Sequence, residues 1–215
     1  MLYPLNLDLS GKSCVVIGGG RVAERKVKGL IAAGACVTVI APVVTDTLQQ
    51  LVGEHQLRWQ AGVYAYGMLA PYQPLLVFCA ADSENANREA AREAKEIGAL
   101  VNAAAQPELT DFQVPSRIVR GDLLLTVATG GDSPAFSRLL RKRLEQEYPP
   151  SFAEFLPRLR VLRDEIKRLP GGSEEHQRRW RNALNQSVID LVRAGQLDRA
   201  EEEIRNGIID AGAES

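Results

Sequence analysis

Short apolar runs alternate with amphipathic stretches along the first hundred residues of the chain. The apolar runs lie at 13–18, 36–41, 57–60, 74–81 and 99–103, and the amphipathic stretches between them at 21–33, 45–53 and 83–98. The run at 74–81 has no alternation with polar residues, as expected for a strand of a parallel sheet covered on both faces. Strands and helices that alternate at this spacing predict an α/β fold with a doubly wound parallel sheet.

Capping residues define the predicted helix boundaries. Thr45 and Ser83 are suited to accept hydrogen bonds at helix N-termini, and a glycine follows the predicted ends of the first and third helices. Ser133, with Pro134 at the first helical position, predicts the start of a further helix. The Pro149-Pro150 pair predicts its end.

The pattern changes after about residue 110. Residues 112–129 predict two strands joined directly at a turn, and the absence of an intervening helix implies an antiparallel hairpin. Beyond the proline pair the chain is charged and helical, as in a solvated helical module. We therefore expect three parts, at 1–111, 112–149 and 150–215.

Composition and charge exclude several classes of protein. The 215 residues are 45% apolar and 25% charged, which is ordinary for a globular protein, and the net charge of −1 gives no global basic field for nucleic acid. The sequence has no basic segment of a secretory signal at its start and no apolar stretch of membrane-spanning length. Three cysteines without framework spacing indicate buried, reduced thiols in a cytoplasmic protein. With two isolated histidines, we expect no histidine-based zinc site.

A glycine-rich loop follows the first predicted strand. Gly18-Gly19-Gly20 and the residues after it match G-x-G-x-x-G/A between a strand and a helix. Gly18 permits a tight turn, Gly20 lets a pyrophosphate approach the backbone, and Ala23 lets the helix pack close to the strand. The helix N-terminus offers free N–H groups to phosphate. The sequence therefore predicts dinucleotide binding on a Rossmann-type sheet.

The end of the second predicted strand bears on the choice of cofactor. Dinucleotide folds usually carry an acidic residue there to bind the ribose hydroxyls, and here the position is Ala41-Pro42. No arginine or lysine stands there to bind a 2′-phosphate either. We expect NAD rather than NADP, with the ribose held by backbone groups near Pro42 and Val43.

Three motifs give the chain a family resemblance. GGG-x-VA-x-RK begins at Gly18, F-x-x-PS-x-x-x-RG at Phe112 and TGG-x-SP-x-x-x-R-x-LR at Thr129. Together they resemble the siroheme synthase N-terminal family over residues 1–148, and more loosely through the helical tail. Members are precorrin-2 dehydrogenases, and some are also sirohydrochlorin ferrochelatases.

The resemblance implies a fold and an activity. The fold would be a Rossmann domain at 1–111, a β/α dimerisation segment at 112–149 and a small helical domain at 150–215, assembled as a homodimer. The activity would be NAD-dependent oxidation of precorrin-2 to sirohydrochlorin, with no nucleic-acid or membrane partner. The longer siroheme synthases add a methyltransferase domain. By motif, the cofactor contacts fall on Gly18, Gly20, Arg21, Val22, Pro42, Val43, Ala81 and Asp82.

One departure from the family pattern concerns catalysis. Members commonly carry an aspartate, proposed to act in catalysis and metal insertion, at the position that is Ala105 here. The remaining candidates for a catalytic role are Asn102, Asp111 and Thr129, and Glu108, Asp111 and Asp132 are acids near enough in sequence to substitute. Loss of a positioned base costs about 10²–10⁴-fold. We therefore expect dehydrogenation, with metal insertion weak or absent and no resident metal.

The implied substrate is a polycarboxylate, which favours a local excess of positive charge. Residues 115–145 contain six basic and three acidic residues. Because arginine binds carboxylates in a bidentate manner, we expect Arg117, Arg120 and Arg138 to contact the substrate.

Other functions remain as alternatives. A Rossmann domain of this family without its usual acids could be an NAD-binding, non-catalytic sensor. A chelatase that has lost dehydrogenation is less compatible with the intact glycine loop. A dehydrogenase of small carboxylic acids would need a His–acid or Lys–acid pair, which the sequence does not offer.

Overall fold

The computed structural model describes residues 2–103 and 105–213, with side chains to residue 209. It divides into two compact units, Met1–Val114 and Pro115–Ser215. The predicted division into three parts, at 1–111, 112–149 and 150–215, stays a prediction. Its middle part was expected to form a dimer interface, and a single chain does not test that role.

A parallel sheet forms the centre of the first unit. Within residues 2–103 its five strands are β1 (Ser13–Ile17), β2 (Cys36–Ala41), β3 (Arg58–Ala61), β4 (Leu76–Cys79) and β5 (Leu100–Asn102). Their order is β3-β2-β1-β4-β5, and all neighbouring strands are parallel. The predicted doubly wound parallel sheet is therefore confirmed.

Helices cover both faces of this sheet. They are α1 (Arg21–Ala32), α2 (Asp46–Gly53) and α3 (Glu84–Glu96). Cys14 and Val16 of β1 point into the core beneath α1 and α2, whereas Val15 and Ile17 point into the core beneath α3. Because successive side chains of every central strand enter one core or the other, these strands are apolar without alternation.

The predicted N-caps of α2 and α3 are confirmed. The Thr45 hydroxyl accepts a hydrogen bond from the N–H of Leu48, and the Ser83 hydroxyl from that of Ala86, each at 3.3 Å. Strand β4 is shorter than the predicted run at 74–81. It ends at Cys79 because the N–H and the carbonyl of Ala81 are bound by a side chain of α3 instead of a neighbouring strand.

The second unit begins with a hairpin. Strands β6 (Ser116–Arg120) and β7 (Leu123–Val127) pair antiparallel, and Gly121, with φ of +58°, occupies the turn. The prediction of two directly joined strands is confirmed. The left-handed backbone at the turn explains the glycine there.

Helices make up the rest of the second unit. They are α4 (Pro134–Glu147), α5 (Ser151–Ile166), α6 (Ser173–Ala183), α7 (Gln186–Arg193) and α8 (Leu197–Ala213). The predicted cap of α4 is confirmed, since the Ser133 hydroxyl accepts from the N–H of Phe136 at 3.2 Å. Phe155, Leu162 and Ile204 belong to a separate apolar core. None of the helices in the described residues is long and apolar enough to cross a membrane.

The cysteines differ in part from their prediction. Cys14 and Cys79 are buried and free, and burial raises the pKa of their thiols to about 11 and about 12. The prediction that all three are buried is wrong for Cys36, which is exposed. It is the first residue of β2, and the five residues of the strand that follow it are buried.

Candidate cofactor site

A cavity of about 490 Å³ opens at the carboxyl ends of β1, β2 and β4. It is lined by residues 17–20, 40–45, 63–64, 80–83 and 86. All of them belong to the first unit. Ligands of open α/β sheets bind outside the carboxyl ends of the strands, so the cavity lies where the fold places a ligand.

The three consecutive glycines of the β1–α1 loop have different roles. Gly18 has φ of +109°, and a Cβ there would lie 2.4 Å from the carbonyl oxygen of Ala80. A Cβ on Gly19 would lie 2.0 Å from the carbonyl oxygen of Val43, whereas one on Gly20 would have nothing within 4 Å. Gly18 and Gly19 therefore let the loops after β4 and β2 close on the first loop. Gly20 leaves the backbone open on the cavity side.

The start of α1 fits a pyrophosphate. Gly20 is its N-cap residue, and within the described residues no side chain caps its first N–H groups. Uncapped N–H groups at a helix N-terminus bind phosphate oxygens. The open backbone at Gly20 and these donors together fit a dinucleotide. Ala23 is fully buried, which confirms the predicted close packing of α1 on the sheet.

The β2–α2 loop forms the second wall of the cavity. Pro42 and Val43 are exposed there, and the Thr45 hydroxyl, besides capping α2, donates to the Glu24 carboxylate at 2.8 Å. Hydrogen bonds from Lys28 and Thr45 lower the pKa of Glu24. This carboxylate is therefore engaged with its neighbours on α1 and α2.

The β4–α3 loop forms the third wall. Asn87, which is 5% exposed, brackets the backbone of Ala81: its Oδ1 accepts from the Ala81 N–H at 3.0 Å, and its Nδ2 donates to the Ala81 carbonyl at 2.9 Å. These bonds fix the loop in the conformation that lines the cavity. Sequence reasoning missed Asn87, although a polar residue on the inward side of an alanine-rich helix was the available signal.

Most of the predicted cofactor residues line this cavity. Gly18, Gly20, Pro42, Val43, Ala81 and Asp82 all do so. Arg21 and Val22 are exposed at the start of α1 and do not line it. Five further lining residues were not predicted as cofactor contacts, namely Gly19, Thr45, Val63, Tyr64 and Ser83. A third consecutive glycine was the signal for the first of these.

The candidate catalytic residues of the first unit lie near the end of β5. Asn102 is 5% exposed; its Nδ2 donates to the Phe112 carbonyl at 2.8 Å, and its buried Oδ1 has no partner among the described residues. The Asp111 carboxylate accepts from the Val101 N–H at 2.9 Å and lies 3.6 Å from the Lys95 ammonium. Ala105 is exposed in a turn. Asp111 therefore extends the pairing of β5, whereas Asn102 keeps a free acceptor.

The remaining polar candidates have structural contacts or are exposed. The Thr129 hydroxyl accepts from the Ser133 N–H at 3.3 Å and lies 3.0 Å from the Ser137 hydroxyl, so it closes the turn before α4. Glu108 forms an ion pair of 3.6 Å with Arg88, and Asp132 is exposed. Within the described residues, no three His, Cys, Asp or Glu side chains are grouped to hold a metal ion.

The three candidate substrate arginines differ in their surroundings. The Arg120 guanidinium donates to the backbone carbonyls of Tyr148 at 2.8 Å and Val119 at 3.1 Å. Arg117 on β6 and Arg138 on α4 are exposed, and within residues 2–103 and 105–213 neither guanidinium has a hydrogen-bond or ion-pair partner. The Arg120 guanidinium is thus engaged by backbone carbonyls of its own chain, while the guanidinium groups of Arg117 and Arg138 are free to bind an anion.

A family model agrees with the geometry of the first unit. Residues 5–116, more than half of the chain, match the family described as "Putative NAD(P)-binding". The chain belongs to this NAD(P)-binding family. The predicted dinucleotide-binding fold is confirmed.

Individual relatives extend the likeness to the whole chain. It is 32% identical to the siroheme synthase of Methylobacillus flagellatus and 34% identical to that of Nitrosococcus oceani, in each case over 92% of this chain and 42% of the relative. The chain thus spans less than half the length of these relatives. The solved structure of SirC, a precorrin-2 dehydrogenase, superposes with a TM-score of 0.78 at 25% identity and covers 97% of this chain and all of that one. The resemblance predicted from the three motifs is confirmed.

Proposed function

We propose that the protein oxidises precorrin-2 to sirohydrochlorin with NAD as the hydride acceptor. The observation that carries the proposal is the likeness to SirC over nearly the whole chain, combined with the open glycine loop. NAD, when bound, supplies the redox chemistry. The protein binds and orients it and admits the tetrapyrrole.

NAD rather than NADP is the proposed cofactor. At the end of β2, Pro42 and Val43 offer no cation for a 2′-phosphate, and the Glu24 carboxylate beside this loop is bound to Thr45 and Lys28. The pyrophosphate would be held by the N–H groups at the start of α1 beside Gly20. The backbone that Asn87 fixes at Ala81 would form the wall of the cavity nearest β4.

The proton released in the oxidation must leave without the aspartate that family members commonly carry. The family's usual aspartate position is Ala105, and the Asp111 carboxylate is engaged with the backbone of β5. We propose that the proton leaves to water or to the carboxylates of the substrate, at a rate that a positioned base would raise by about 10²–10⁴-fold. Metal insertion, which must remove pyrrole protons, would be weak or absent for the same reason.

Arg117 and Arg138 are the proposed contacts for substrate carboxylates, because both are exposed and free of internal partners in the part of the chain that the structure describes. Arg120 is not among the proposed contacts, because its guanidinium donates to the backbone carbonyls of Tyr148 and Val119. A homodimer in the cytoplasm completes the proposal. Exposed apolar side chains on the hairpin and α4 support such an interface: Val119, Leu124, Phe136 and Leu139.

An anaerobic assay tests this function. Freshly generated precorrin-2 is supplied with NAD, and sirohydrochlorin is followed by its absorbance, with Fe(II) or Co(II) added in a separate reaction. We expect NAD-dependent turnover and little metal insertion above the spontaneous rate. Binding of NAD without turnover would contradict the proposal and favour a sensor. Ala105→Asp then distinguishes a decayed enzyme, which it rescues, from a protein with another role.

A further inference from the structure

The connection from β3 to β4 is unusual for a parallel sheet. Parallel strands are usually joined by a helix, which pairs its own N–H groups. Here residues 62–75 cross the face of the sheet beside α3, and the described connection has one short 3₁₀ turn, Ala70–Tyr72. The other N–H groups of this connection need partners from elsewhere.

A single carboxylate from α3 binds this connection. Glu93 is 2% exposed, and its Oε1 accepts from the N–H groups of Leu69 at 2.9 Å and Ala70 at 3.1 Å. Its Oε2 accepts from the Gly67 N–H at 2.8 Å and from the Tyr64 hydroxyl. No cation in the described residues forms an ion pair with Glu93, so these donors stabilise the buried charge. Burial opposes ionisation of Glu93, but the hydrogen bonds outweigh it and lower its pKa.

Tyr64 links this carboxylate to the cavity. The tyrosine is 6% exposed, packs in the core beneath α3 and lines the cavity with its neighbour Val63. Its hydroxyl donates to Glu93, so the carboxylate holds a residue of the cavity wall in place. The hydrogen bond to Glu93 and the packing beneath α3 therefore restrain the orientation of the Tyr64 ring.

The position of Tyr64 along the sheet indicates which end of a dinucleotide it faces. Tyr64 follows the end of β3 by three residues, and the last residue of β3, Ala61, pairs with Ala41 at the end of β2. In dinucleotide-binding sheets the adenosine ribose lies at the end of the second strand. The wall that Tyr64 forms is thus on the adenosine side.

We propose that Glu93 is a positioning residue for the dinucleotide: by fixing Tyr64 and the 64–70 backbone, it shapes the adenosine end of the site. The inference rests on the dinucleotide binding of the proposed function. It assigns a role in that binding to Glu93, which does not line the cavity and acts through Tyr64. It does not depend on precorrin-2 being the substrate.

The same two elements provide a matched control. Tyr66, two residues after Tyr64, donates to Glu96, one turn after Glu93 on α3. Tyr66, at 52% exposure, and the Glu96 carboxylate, at 50%, are both solvent-exposed, and neither residue lines the cavity. Glu96→Gln therefore removes an equivalent tyrosine–carboxylate bond without touching the cavity wall.

The test measures binding of NAD and of ADP-ribose by calorimetry to the intact chain. We expect Glu93→Gln to weaken both ligands by the same factor, about tenfold or more, because ADP-ribose contains the adenosine end. Tyr64→Phe keeps the ring and the backbone bonds and should weaken both by about threefold. Glu96→Gln should bind both ligands as the parent does.

Two further measurements separate positioning from general destabilisation. Val101→Ala removes buried volume from β5, away from the cavity, and should lower the melting temperature while NAD affinity is kept. In the dehydrogenase assay Glu93→Gln should raise the KM for NAD and leave kcat unchanged at saturation. If Glu93→Gln does not fold, Tyr64→Phe decides. Unchanged ADP-ribose affinity in a folded Glu93→Gln protein, or in Tyr64→Phe if the former is unfolded, would overturn the proposal.

Discussion

The cofactor cavity of the first unit and the arginines of the second differ in what they are made from. The cavity is built mainly from backbone: three glycines, uncapped N–H groups and loops closed on one another. The proposed substrate contacts, Arg117 and Arg138, are exposed side chains. A site made of backbone is determined by local sequence and by the fold. In a site made of exposed side chains, by contrast, the final positions of the side chains depend on the molecule that binds there.

The largest expected effect tests the backbone part of this comparison. Gly19→Ala places a Cβ 2.0 Å from the Val43 carbonyl oxygen, so the β2–α2 loop must move. We expect unfolding free energy to fall by ~3 kcal/mol and NAD affinity by on the order of 100-fold. Chemical denaturation and calorimetry measure the two quantities.

Gly20→Ala is the control for that variant. Its Cβ would meet nothing within 4 Å, so the unfolding free energy should fall by only about 0.5–1 kcal/mol, which is what alanine costs relative to glycine at an N-cap. NAD affinity should still fall by about tenfold, because the methyl group would enter the open space beside Gly20 in which the proposed function places the pyrophosphate. Equal losses of stability in both variants would contradict the different roles of the two glycines.

The second effect concerns the pH dependence of stability, to which the buried Glu93 carboxylate contributes. Its folded-state pKa is lowered, so its ionisation stabilises the fold above its ordinary pKa of 4.5 and this stabilisation is lost as pH falls towards the folded-state pKa. We expect Glu93→Gln to cost ~2 kcal/mol at pH 7 and to flatten the loss of stability below pH 4.5. Urea titrations from pH 7 to about 3 measure this. An unchanged slope below pH 4.5 would show that other carboxylates dominate acid unfolding.

The third effect tests the side-chain part of the comparison. Arg117→Ala or Arg138→Ala should raise the KM for precorrin-2 by about tenfold, with stability unchanged, since each removes a free cation. Arg120→Ala should instead lower unfolding free energy by ~1.5 kcal/mol, because its guanidinium binds backbone carbonyls. Arg143→Ala on the same helix as Arg138 is the control. A KM effect confined to Arg120→Ala would reverse these assignments.

The smallest effect concerns Thr45. This residue lies in the β2–α2 loop and lines the cavity, but its hydroxyl makes hydrogen bonds within the protein, to Glu24 and to the N–H of Leu48. Thr45→Val removes the cap of α2 and the hydrogen bond to Glu24. We expect a loss of ~1 kcal/mol with NAD affinity unchanged, measured by thermal unfolding and calorimetry. A clear loss of NAD affinity would mean that the hydroxyl contacts the cofactor.

Local chemistry explains which features could be predicted from sequence. The glycine loop, the caps at Thr45 and Ser83 and the hairpin each depend on residues close in sequence, and all were predictable. Strand β4 ends early because Asn87, six residues later, binds Ala81. Glu93 acts on residues more than twenty positions earlier, and no local pattern marks such a pairing. The free or bound state of the arginines likewise depends on where distant carbonyl oxygens lie.

Helix α3 holds two walls of the cavity, through Asn87 at Ala81 and through Glu93 at the 64–70 backbone. Amide protons bound to these side chains can exchange with solvent only when α3 separates from the loops. The N–H groups of Ala81, Gly67, Leu69 and Ala70 should therefore exchange with a common free energy of opening, although they lie in separate loops. A bound dinucleotide should slow the exchange of all four together, because separating α3 from either loop would disturb the same cavity.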